Sequence, residues 1–152
     1  MPNQFLCPTH RQWVYLHPLE AIAHIQEAKT QGEALRIEER WSEALPYIGS
    51  ALEMTEIIMD INHARCERYG LLYTALAISV ADTQSRLANP LSATTTLQNS
   101  ENWLRSLCCE IGSQAPLSKG LLDCLNTLHK GVEFFRESAQ RHTHQHSSVK
   151  LH

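Results

Sequence analysis

The sequence predicts an all-α chain of about five antiparallel helices, arranged as stacked helical hairpins or as an irregular bundle. Three observations carry that prediction. Every long apolar series steps by three and four residues and none alternates by two. The segments between the series are short, which favours antiparallel neighbours. At 152 residues the chain fits one domain able to bury roughly 68–70% of its unfolded surface, so no staple is needed.

Residues 1–16 hold Pro2 and Pro8 among polar and aromatic positions without a period, and they read as an extended lead-in. A single all-α domain is expected over residues 17–141. Its first helix starts at about His17, where Pro18 suits a first turn, and carries Leu19, Ile22, Ala23, Ile25 and Ala28 to about Glu38. Gly32 inside that helix costs about 1 kcal/mol relative to alanine, so it marks a break or a close approach by another helix. After a charged turn at Arg36, Glu38, Glu39 and Arg40, the second helix places Trp41, Ala44, Leu45, Ile48, Ala51, Leu52, Ile58 and Ile61 on one broad stripe, with Pro46 near its start.

An interruption is expected at 61–64. The third helix then carries Cys66, Tyr69, Tyr73, Leu76, Val80 and Leu87 and stops before Asn89-Pro90, because the residue preceding proline is pushed out of the α region. Residues 91–100, with three consecutive threonines, are the weakest helical stretch. The fourth helix is expected around Trp103, Leu104, Leu107, Cys108 and Ile111, ending at Gly112, Ser113 and Pro116. The fifth has the cleanest period: Leu121, Leu125, Leu128, Val132, Phe135 and Ala139 form a seam that must lie along something long. Residues 142–152 show no apolar face and read as a flexible, histidine-containing tail.

The spacing of small and large residues in the first two helices resembles the tetratricopeptide (TPR) repeat, a helix-turn-helix unit of about 34 residues. Over about residues 22–56, Gly32 takes the small slot of the first helix, Leu35 the large one, Trp41 the inter-helix aromatic slot, and Ala44, Ile48 and Ala51 the slots of the second helix. Glu56 stands where that family has its closing proline. A following unit can be started at Cys66, Gly70 and Tyr73 with Gly70 in the small slot, but its second helix lacks an alanine pair at the expected distance. The resemblance implies a protein-binding groove lined by the first helix of each pair, which points to Gln26, Lys29, Glu33 and Arg36. It also implies that a free C-terminal carboxylate is not the ligand, since Glu33 occupies a slot where the chaperone-tail adaptors of the family carry a clamp asparagine.

The charge balance argues against nucleic acid. The net charge is −3, the pI is near 6.3, and no Lys/Arg run interleaves with aromatics. No window approaches the roughly 18 consecutive apolar residues of a membrane span, and the N-terminal residues lack the pattern of a signal peptide. Five cysteines without a C-x-x-C pair fit reduced thiols and a cytoplasmic chain.

No nucleophile elbow, dinucleotide fingerprint or phosphate loop is present, so no catalytic residue is assigned and no cofactor is expected. Glu53, Glu56, Asp60 and His63 share a face with one carboxylate-x-x-His pair, but such sites need a second copy, and a solvated helix face is the better reading. Cys7 and His10 with His17 fall short of a ligand set, so no metal is expected. Cys108 and Cys109 point about 100° apart on a helix, one inward and one outward. The expected function is a non-catalytic interaction module for another protein or peptide. A homodimer through the seam of the fifth helix, or a metal-dependent helical enzyme, are the alternatives.

Overall fold

The computed structural model describes residues 5–149, with side-chain surroundings through Gln145. Among the described residues it is all helical: α1 (Pro8–Leu16), α2 (Pro18–Ile37), α3 (Trp41–Ile61), α4 (Cys66–Arg86), α5 (Pro90–Gly112) and α6 (Lys119–Val149), with one 3₁₀ turn at His63–Arg65. No helix of the described residues is long and apolar enough to cross a membrane.

Two helical hairpins, α2/α3 and α4/α5, are built on the same turn. Glu38 and Leu87 end the first helices. Glu39 (φ 58°) and Ala88 (φ 59°) then adopt the left-handed conformation. The N–H of Arg40 donates to the carbonyl of Leu35 at 2.9 Å, and the N–H of Asn89 to that of Gln84 at 3.0 Å, so both turns close the same helix-ending loop. The two turns lie 49 positions apart, and at that offset small residues recur in pairs: Ala21 and Gly70, Ala28 and Ala77, Gly32 and Ala81, Ala44 and Ala93, Ala51 and Ser100. All but Ala28 are buried. The second hairpin thus places Ala93 and Ser100 where the first has Ala44 and Ala51, while counted from Gly70 it has no alanine pair at the repeat distance, as expected.

The close approach expected at Gly32 is present. A Cβ built there would stand 2.5 Å from Cγ2 of Ile48 and 3.2 Å from its backbone nitrogen, and Ala44 and Ala51 are fully buried in the same seam. Trp41, half-buried at the first position of α3, wedges the turn against the next hairpin, with the Arg86 guanidinium 5.3 Å from its ring centre. Helix α3 is the central element: Ala51 through Met59 are all buried, because α1, α2 and α4 pack around it.

Four expectations are corrected. Residues 8–16 are not an extended lead-in but a helix. Pro8 opens α1, Val14 is its buried residue, and a carboxylate 47 positions away from Leu6 fixes the segment. Helix α5 starts at Pro90, well before Trp103. Asn89 caps it, its side chain accepting from the N–H of Ser92 at 3.3 Å, and the threonines find partners: Thr94 donates to the carbonyl of Pro90 and Thr96 to Gln84 Oε1. Residues 142–149 continue α6, because a helix already nucleated by packing extends at one bond per residue; residues 150–152 lie outside the described residues. The seam of α6, from Leu121 through Phe135, is buried against α4 and α5 within the chain, so no second subunit is needed to cover it. The outcome for the cysteine pair is as expected, Cys108 buried and Cys109 exposed.

Candidate functional site

The residues named by the groove expectation share one stripe of α2, and two of them reach α4. Gln26 is exposed and Lys29 is half-exposed. Glu33 and Arg36 are engaged in joining the two hairpins. Arg36 donates to Asp82 at 2.7 Å and lies 3.7 Å from Glu33, and Ser79 donates to Glu33 at 3.4 Å. Asp82 is also 3.7 Å from Arg86. These bonds join the C-terminal halves of α2 and α4, residue 33 meeting 79 and residue 36 meeting 82. Two of the four predicted contact residues thus fasten one hairpin to the other.

The opposite face of α2 borders an open cleft of about 910 Å³. Helix α1 supplies one wall with His10, Trp13 and Val14. Helix α2 supplies His24, Glu27, Ala28 and Gln31, and α3 supplies Tyr47, Ser50 and Met54; Phe5 and Leu6 close one end. The floor is apolar and the rim polar, within the roughly 300–1,000 Å³ of ligand-binding clefts. Trp13 meets the His24 ring edge-on at 5.0 Å and stacks on His17 at 5.5 Å.

One buried carboxylate sets that wall. Glu53 accepts from the N–H of Phe5 at 3.1 Å and of Leu6 at 2.8 Å, and Arg11 lies 3.7 Å from it. The Phe5 ring rests on Gly49, where any Cβ would collide with it. One turn along α3, the Tyr73 hydroxyl donates to Glu56 at 2.7 Å, and Tyr73 packs on Trp103 at 4.9 Å. Burial pushes the Glu56 carboxyl up to about 7, against the pull of the Tyr73 hydrogen bond; the neighbouring Glu53 raises it further and Arg11 opposes. Burial lifts the Tyr73 phenol well above its usual range.

The solvated-face reading of Glu53 and Glu56 is therefore corrected: both are buried, while Asp60 and His63 are exposed, and His63 faces Glu110 at 3.6 Å. Among the described residues no group of three or more His, Cys, Asp or Glu side chains is placed to hold a metal. Cys7 and His10 touch at 3.0 Å on the surface. Burial raises the Cys66 thiol to about 11 and the Cys108 thiol in the same direction, which marks them as core thiols, not reactive thiolates.

The chain matches no protein-family model, no curated protein and no solved structure. The sequence reading missed Trp13, His24, Glu27 and Tyr47 because it treated the α1 segment as structureless, and without α1 the cleft has no wall. The available signal was Pro8 at a helix start, the same signal that located α2 through Pro18.

Proposed function

We propose that the chain is a non-catalytic, TPR-like interaction module of the cytoplasm that holds a peptide segment of a partner protein in the cleft between α1 and the first hairpin. The observation that carries the reading is the cleft itself, about 910 Å³ with an apolar floor and a polar rim, beside the first of two hairpins whose turns have the same conformation. The same-direction meeting of α2 and α4 at 33/79 and 36/82 supports the TPR-like part. Five free thiols, three of them buried, support a reducing compartment.

The fastening of Glu33 and Arg36 moves the proposed contact from the α4-facing side of α2 to its cleft-facing side. Filling the cleft tests this. Ala28→Trp should abolish recovery of a specific partner from an extract of the source cells, and Lys29→Glu, on the other face, should leave it intact. The recovered partner's binding segment, made as a synthetic peptide, should then compete. Equal recovery by both variants, with unchanged thermal stability, would remove the cleft from the proposal.

A further inference from the structure

We infer that the cleft recognises a cationic side chain, an arginine or lysine presented on an apolar stretch of the partner peptide. This rests on the proposed peptide-binding role of the cleft. Charge complementarity is the argument. Among the described residues no lysine or arginine lines the cleft, and Glu27 is the single carboxylate that does. Its side chain is 79% exposed, and its ion-pair neighbour among the described residues is His24 Nδ1 at 4.0 Å, so it remains available to a ligand.

The rings of Phe5, Trp13 and Tyr47 border the same space, with His24 edge-on to Trp13. Aromatic faces within about 6 Å attract a cation through the negative face of the π-system, and a guanidinium also stacks flat on them. The methylene stem of such a side chain matches the apolar floor formed by Leu6, Val14 and Met54. A carboxylate or phosphate would find neither an arginine nor a lysine among the described lining residues, and would meet Glu27 as a like charge.

The test uses the full chain, labelled with nitrogen-15, and three peptides of one apolar sequence whose central residue is arginine, norleucine or glutamate. The readout is the indole N–H signal of Trp13, assigned by Trp13→Phe, with Trp41 and Trp103 outside the cleft as internal controls. The arginine peptide should move the Trp13 signal and bind roughly three- to tenfold tighter than the norleucine peptide, with the glutamate peptide weakest. Glu27→Gln, at an exposed position that leaves the fold untouched, should narrow the preference. Equal affinity for arginine and norleucine peptides, or a preference unchanged in Glu27→Gln, overturns the inference and leaves peptide docking standing. No shift with any peptide at millimolar concentration overturns both.

Discussion

Gly32→Ala isolates the contact that fixes the first hairpin. In a free helix interior the added methyl would stabilise by about 1 kcal/mol, because glycine loses more backbone entropy on folding. At this site the Cβ would stand 2.5 Å from Ile48 Cγ2, 3.2 Å from the Ile48 nitrogen and 3.3 Å from Tyr47 Cβ. The nitrogen belongs to the α3 backbone, so no rotamer change relieves the clash and the helices must separate. Overpacking of this kind costs about 1–3 kcal/mol, leaving a net loss of about 0–2 kcal/mol. Gly120→Ala is the control, since the nearest atom to its built Cβ is Ser118 Oγ at 3.9 Å. Thermal unfolding reads the difference, as each kcal/mol moves Tm by about 2–4 °C at this size. Gly32→Ala should melt below the parent and Gly120→Ala at or above it. A Gly32→Ala protein as stable as the control would refute the close-packed hairpin.

Three further outcomes are expected. Ala44→Leu and Ala51→Leu should each lose about 1–3 kcal/mol in urea unfolding, because both side chains are fully buried where α2 and α3 touch. The raised Glu56 carboxyl should make stability fall with pH. Its folded value of about 7 lies above the ordinary 4.5, so the folded state holds the proton more tightly, and this contribution is complete below pH 4.5 and lost as pH rises through 7. The difference between pH 4.5 and 8 is about 3 kcal/mol, and Glu56→Gln, which keeps an acceptor for Tyr73, should flatten that part of the profile. Glu53→Ala should free the α1 wall by removing the acceptor for two backbone N–H groups; hydrogen exchange should accelerate in residues 5–16 and stay slow in α4 and α5.

What was legible in the sequence followed from local chemistry. Pro18, Asn89-Pro90 and the charged run at 36–40 bound α2, α3 and α4 closely, because helix ends depend on backbone groups within a few residues. Gly32, Ala44 and Ala51 announced the α2/α3 contact because small side chains are the local requirement for close backbones. Helix α1 was hidden because its hold is nonlocal: one buried residue, Val14, and the Glu53 carboxylate of α3, 47 positions from Leu6. The threonines of α5 were misread because intrinsic propensity ignores the partners that Pro90 and Gln84 supply. The 49-residue offset between the two hairpin turns differs from that of a unit begun at Gly70, and it shows only when the two left-handed turn residues, Glu39 and Ala88, are aligned. The pairing of two of the predicted groove residues was hidden for a related reason. Arg36 and Glu33 sit where a ligand could lie, but sequence spacing does not reveal that Asp82 and Ser79 arrive there first.

The two faces of α2 can be separated directly with a photo-crosslinking amino acid placed in turn at position 31 and position 26 of the chain in its own cells. Gln31 borders the cleft, and Gln26 lies exposed on the stripe of α2 that carries Glu33 and Arg36. Cleft recognition predicts a crosslink from position 31 to one segment of one partner, lost on adding Ala28→Trp, and none from position 26. Crosslinks to that partner from position 26 alone would contradict it.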